Sequence, residues 1–150
     1  MTERVDFYIL KSSTPKQRWT FACRLTEKAY LRDLKVVLLG DTPAEVEAID
    51  ALLWTFSERS FVPHDIHRTA TAAGSAAAVQ LTQDLDFVES ADLLVNVSMR
   101  LPARLDRFAR VAEIIDADDE RRRLGRERFK VYRELKLAVE THQLDDAAGA

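Results

Sequence analysis

The chain predicts a single α/β domain with a mostly parallel sheet, and three observations carry that expectation. Short apolar runs bounded by turn residues alternate with amphipathic helical stretches, the pattern of strand–helix–strand units. One of those runs, Leu34-Lys35-Val36-Val37-Leu38-Leu39, is almost continuously apolar, as a strand covered on both faces should be. The length of 150 residues is that of one domain, and 47% apolar against 31% charged types leaves enough material for a sizeable core.

The elements follow in order. Arg4 to Leu10 is rich in β-branched and aromatic residues and reads as the first strand. Ser12-Ser13-Thr14-Pro15 opens a helix, with hydroxyls for capping and proline early, and Phe21, Leu25, Ala29 and Tyr30 recur at helical spacing. The Leu34–Leu39 run stops at Gly40. Thr42 and Pro43 then cap and begin a second helix, whose stripe is Val46, Ile49, Leu53 and Phe56, widened by Leu52 and Trp54. Ser60 to Asp65 reads as extended chain or loop. Residues 69–78 are Ala, Thr, Gly and Ser, and are expected to form a mobile loop. Residues 78–82 and 92–98 look like strands, Pro102 opens a short helix through Phe108, and 110–115 reads better as strand than as helix. Asp118 and Asp119 start a long C-terminal helix, acidic residues being favourable at its positive end. A frayed tail is expected at 144–150. The whole is Rossmann-like: a twisted sheet with helices on both faces.

Composition excludes several classes. No apolar run approaches the roughly 18 residues of a membrane helix, so no membrane partner is expected. The start, Met1 to Asp6, lacks a basic-then-apolar leader pattern, and the one cysteine, Cys23, has no internal partner; both fit a cytoplasmic chain. The net charge of −3 is unevenly spread: residues 121–136 carry eight bases and two acids, so the rest of the chain is acidic. A concentrated basic patch of this kind suits an acidic or polyanionic partner.

Nucleotide chemistry finds no support. A phosphate needs a glycine-lined turn after a strand, letting it approach helix N-terminal N–H groups. Here the first turn is Lys11-Ser12-Ser13-Thr14, and neither GxxxxGK[ST] nor GxGxxG occurs. His64-Asp65-Ile66-His67 has the spacing of two zinc ligands but no further ligand set, and ordinary loop histidines are the simpler reading. Cys23 lies in an apolar helical stretch and reads as an inert core residue. Asp84/Asp86 and Asp118/Asp119 read as solvated or helix-start carboxylates. No catalytic constellation, metal site or cofactor site is expected.

The terminal helix says more. At 100° per residue Leu124, Val131, Leu135 and Ala138 form one stripe, expected to pack on the domain. Arg122, Arg126, Phe129 and Arg133 form the opposite one, with Lys130 nearby. A solvated basic face is the plain reading. Against it, few acids balance these bases at i,i+4, and an aromatic ring sits among them. Cations around an apolar platform fit an acidic peptide with a large apolar end. They fit single-stranded nucleic acid equally, with bases stacked on Phe129. Trp54 reads as core or as groove lining, and Phe61-Val62-Pro63 as a ridge for a partner.

Three segments together carry a resemblance to a known family. They are the Val5–Leu10 strand; Leu52-Leu53-Trp54 followed by Phe61-Val62-Pro63-His64; and Gly125-Arg126-Glu127-Arg128-Phe129-Lys130-Val131-Tyr132-Arg133. In this order and at this spacing the chain resembles the chi subunit of bacterial DNA polymerase III. The resemblance implies a non-catalytic accessory protein of the clamp-loader assembly. Its family binds the acidic, phenylalanine-ended C-terminal tail of single-stranded-DNA-binding protein, and so meets single-stranded DNA indirectly. By motif position, Arg126 would clamp the tail's carboxylates, with Arg122 and Lys130 adding charge and Phe129 and Trp54 lining the apolar part. A psi-subunit surface would comprise Phe61, Val62, Pro63 and His64, linking the chain to the clamp loader. The resemblance favours peptide over nucleic acid at the basic helix.

Overall fold

The computed structural model describes residues 2–57, 61–66, 78–88 and 90–144. Its centre is a seven-stranded sheet of β1 (Arg4–Ile9), β2 (Val36–Leu39), β3 (His64–Ile66), β4 (Val79–Thr82), β5 (Ala91–Asn96), β6 (Phe108–Ile115) and β7 (Ala138–Gln143). The order across the sheet is β3-β4-β2-β5-β6-β1-β7, and every pairing is parallel. Helices α1 (Pro15–Tyr30) and α2 (Pro43–Thr55) pack on one face, and α3 (Asp119–Glu134) on the other.

Local chemistry explains the elements. All four residues of β2 are buried, because it lies inside the sheet between β4 and β5, with α1 and α2 over one face and Leu85 and Val88 in the apolar layer on the other. Pro15 and Pro43 occupy the first turns of α1 and α2, where the missing N–H costs nothing. The Thr42 side chain accepts from the Glu45 N–H at 3.1 Å, a cap worth about 1 kcal/mol. Asp118 does the same for α3, accepting from the Arg121 N–H at 2.9 Å. The 110–115 segment is strand. The short helix expected after Pro102 shrinks to a single 3-10 turn, Leu105–Arg107.

The sheet divides the core into two layers. Toward α1 and α2 lie Ala22, Cys23, Val46, Ile49, Leu53, Leu38, Val95 and Ile114. Toward α3 lie Val5, Phe7, Val37, Leu94, Val111, Ile115 and Tyr132. Strand β7 is a departure from expectation. The terminal helix ends at Glu134, Lys136 takes a positive φ of 62° in the turn, and the chain returns as an edge strand beside β1. Ala138, expected on the helix, is therefore a strand residue. The register continues one residue further, Leu144 N–H donating to the Ile9 carbonyl at 3.0 Å. The rest of the expected tail, and the expected 69–78 loop apart from Ala78, lie outside the described residues.

Candidate functional site: the cleft between the basic helix and the edge strand

Helix α3 packs through a face that the hydrophobic pattern does not indicate. Its buried residues are Gly125, Arg128 and Tyr132, whereas Leu135 is 55% exposed and Leu124 and Val131 are only half-buried. The inward face thus runs between the two expected stripes rather than along the leucine one. The reason is a carboxylate. Glu113 on β6 is fully buried, and receives hydrogen bonds from Tyr132 Oη at 2.5 Å and Asn96 Nδ2 at 3.0 Å, with the Arg128 guanidinium 3.1 Å away. Arg128 also donates to the Met99 carbonyl at 2.8 Å. A buried charge with this set of partners is satisfied; stripped of Arg128 it would be strongly destabilising. Burial first, then the adjacent carboxylate, pushes the Tyr132 phenol far above its ordinary range, so it remains a proton donor. Gly125 allows close approach: a Cβ there would stand 2.4 Å from Ile115 Cδ1.

Held in this way, α3 turns Arg122, Arg126 and Phe129 toward the edge of the sheet. Together with Phe7, Ile9 and Ile115 below and Thr141 and Gln143 on β7 opposite, they line a cleft of about 370 Å³. The floor is apolar, Phe7 and Phe129 meeting at 5.4 Å between ring centroids. The rim is cationic. The Arg122 guanidinium donates to the carbonyls of Asp116 and Leu10, each at 3.2 Å, so it is fixed in place by neutral groups that leave its charge available. Arg126 is exposed and has no hydrogen-bond or ion-pair partner among the described residues. Arg133 lies 5.8 Å from the Phe129 ring centroid, a cation–π distance. Lys130 is exposed on α3 but does not line the cleft. Of the other bases, Arg123 is paired with Glu120 and Glu127, and Arg121 donates to the Val97 carbonyl. Setting aside Arg121, which is half-buried and does not line the cleft, and Lys136, which lies beyond the helix, the bases of α3 not paired with a carboxylate among the described residues are Arg122, Arg126, Lys130 and Arg133.

Trp54 does not join this group. It lies on α2, on the opposite face of the sheet and near its β3–β4 edge, while the cleft is at the β1–β7 edge. There its ring meets Phe61 at 5.5 Å and His64 at 4.2 Å. Trp54 is 46% and Phe61 69% exposed, forming one aromatic ridge. Two neighbours expected on that ridge point inward. Val62 is fully buried, and His64 is buried with Nδ1 2.6 Å from the Val62 carbonyl and Nε2 3.2 Å from that of Asp50. They anchor the segment and hold Phe61 out, while Pro63 is half-buried between. Both ring nitrogens of His64 being occupied, it is not poised as a metal ligand; His67 lies outside the described residues.

The crevice at the carboxyl ends of the strands, where parallel α/β domains usually hold ligands, is filled by side chains. Buried Arg18 is 2.6 Å from Asp116 and 3.0 Å from Glu45, and Trp19 Nε1 donates to the same Glu45 carboxylate at 2.9 Å. Cys23 is fully buried, and burial pushes its thiol up to about 12, which suppresses the reactive thiolate. Asp84 caps the Asp86 N–H, and Asp86 pairs with Arg104. No helix among the described residues is long and apolar enough to cross a membrane.

Phe7, Ile9, Ile115, Thr141 and Gln143 line the cleft, and the charge pattern alone does not find them. The mid-helix glycine, Gly125, is the one local signal of a close contact at this place.

Comparison with known proteins places the sequence in a family. The family described as DNA polymerase III chi subunit, HolC, matches residues 1–140. DNA polymerase III subunit chi of Pseudomonas aeruginosa is 33% identical over 141 residues, spanning 94% of this chain and 96% of that one. The Haemophilus influenzae subunit is 26% identical, spanning 89% and 92%, and that of Escherichia coli 21%, spanning 87% and 91%. With the match running across both the basic helix and the aromatic ridge, the chain belongs to the chi-subunit family, accessory subunits of DNA polymerase III in replication.

Proposed function

We propose that this chain is a non-catalytic replisome adaptor that takes the acidic, phenylalanine-ended tail of single-stranded-DNA-binding protein into the α3–β7 cleft. The observation that carries the reading is the conjunction in one cleft of unneutralised Arg122 and Arg126 with an apolar floor of Phe7, Ile9, Ile115 and Phe129. Carboxylates on a flexible tail supply the charge that the helix lacks, and charge-assisted bonds to guanidinium are the stronger kind. A large apolar side chain fills the floor, removing its surface and that of the ring from water at about 25 cal/mol per Å². Lys130 and Arg133, further out, steer the approach more than they hold the ligand. The aromatic ridge of Trp54 and Phe61 is a second, separate surface, and we assign it to a psi-type partner and through it to the clamp loader. The only other reading with a basis in the residues is direct binding of single-stranded nucleic acid. It is the weaker one, because Phe129 is half-buried, with Phe7 against it and Arg133 near its ring, and offers little face for a base.

Calorimetric titration with a short acidic peptide ending in phenylalanine, beside the same peptide without that residue, tests the proposal. Micromolar binding that requires both the terminal phenylalanine and Arg126 is expected. Binding of oligonucleotide in place of peptide, falling steeply with salt, overturns it.

A further inference from the structure

We propose that Thr141 and Gln143 on β7 are specificity-determining residues that read the main chain of the peptide in the cleft. The inference rests on the cleft being a peptide site, and deepens that reading.

The two walls differ in chemistry. The α3 wall carries charge, Arg122 and Arg126. The β7 wall is neutral, and its cleft-lining side chains are a hydroxyl and a carboxamide. Both are exposed, and neither side chain has a hydrogen-bond partner among the described residues. Each can donate and accept. They stand two apart on one strand, hence on the same face and about 6.6 Å from each other. That separation is also the repeat of an extended peptide, whose main chain offers N–H and C=O groups in alternation. A peptide whose apolar end sinks onto Phe7 and Ile9 brings its last amides beside this wall. Buried there without partners, those amides would each cost about 1–3 kcal/mol; Thr141 and Gln143 are the groups placed to satisfy them. A nucleic-acid backbone, whose phosphates only accept, can use the donor half of such a wall but not its acceptor half. The opposite face of β7 is occupied otherwise: His142 stacks on Tyr8 at 4.8 Å and contacts Asp6 at 2.9 Å.

The test is calorimetry on the full chain and its Thr141→Val/Gln143→Met variant, which keeps shape on an exposed edge strand and is checked by its unchanged thermal midpoint. The probes are the acidic phenylalanine-ended peptide and the same peptide N-methylated at each of its last two amides in turn. The variant is expected to bind the parent peptide about tenfold more weakly, with the salt dependence unchanged because no charge is removed. N-methylation should weaken binding to the unaltered protein and add little to the loss in the variant, the non-additivity that marks a direct contact. Binding by the variant within twofold of the unaltered protein overturns the inference. If binding then still needs Arg126, the cleft remains a peptide site and only this inference falls. If the unaltered protein binds no such peptide, both fall together.

Discussion

Arg126 and Arg128 stand two residues apart on α3 and have opposite surroundings. Arg128 is 5% exposed, its guanidinium shared between Glu113 and the Met99 carbonyl. Arg126 is exposed and unpartnered among the described residues. Two steps along a helix turn the side chain by about 200°, so adjacent members of one charge run serve different ends. The inner one fixes how the helix is rotated on the sheet; the outer one is thereby aimed at the cleft. A basic run is thus several distinct groups, and only those that the fold leaves unneutralised are available to a ligand.

The largest effect expected from this contrast is on stability. Arg128→Ala leaves Glu113 buried without its cation and should cost about 3–5 kcal/mol, whereas Arg126→Ala should stay within about 0.5 kcal/mol of the unaltered chain. Urea denaturation of the two variants side by side measures the difference. For peptide binding the order reverses. Arg126→Ala should weaken the acidic peptide by at least about thirtyfold, as for a central anchor, and Lys130→Ala by only a few-fold, a difference calorimetry resolves.

Gly125→Ala probes the contact between the two faces. The new methyl displaces Ile115 Cδ1, which lies in the floor of the cleft, so about 1–3 kcal/mol of overpacking is expected. It should come with weaker binding of the phenylalanine-ended peptide and little change for the truncated one. A smaller effect belongs to β7's attachment. Burial alone would raise the Asp6 carboxyl, but hydrogen bonds from Arg4, His142 and Arg110 outweigh it and hold the group below its ordinary value of 3.8. A depressed carboxylate contributes stability above that value and loses it as pH falls through the folded one. The stability gap between the unaltered chain and Asp6→Asn should therefore be constant near neutrality and close only below about pH 4. The smallest effect is a null one: Trp54→Ala and Phe61→Ala should leave acidic-peptide affinity unchanged, since that ridge lies on the other face and toward the other edge.

Most of the fold is legible in the residue pattern, because strands such as Val36–Leu39 and helices such as Pro43–Thr55 announce themselves by apolar continuity or by a capped 3.6-residue period. Strand β7 does not. An edge strand wetted on both sides, with no fully buried residue, carries no run to detect. The inner face of α3 is hidden for a different reason: Arg128 and Tyr132 point inward only because Glu113 awaits them, and a partner so far back along the chain leaves no local mark. The cationic half of the cleft is visible as a charge run with an aromatic in it. Its floor and neutral wall come from β1, β6 and β7, and need the sheet order. The distance of Trp54 from the basic helix is hidden for the same reason, since periodicity does not say on which sheet face α2 will lie.

Whether the α3–β7 cleft is the ligand site is decided by following backbone amide resonances while an acidic phenylalanine-ended peptide is added. Saturable shifts are expected at Arg122, Gly125, Arg126, Phe129, Thr141 and Gln143, with Trp54 and Phe61 unmoved. Shifts centred on Trp54 and Phe61, with α3 and β7 silent, would contradict that assignment.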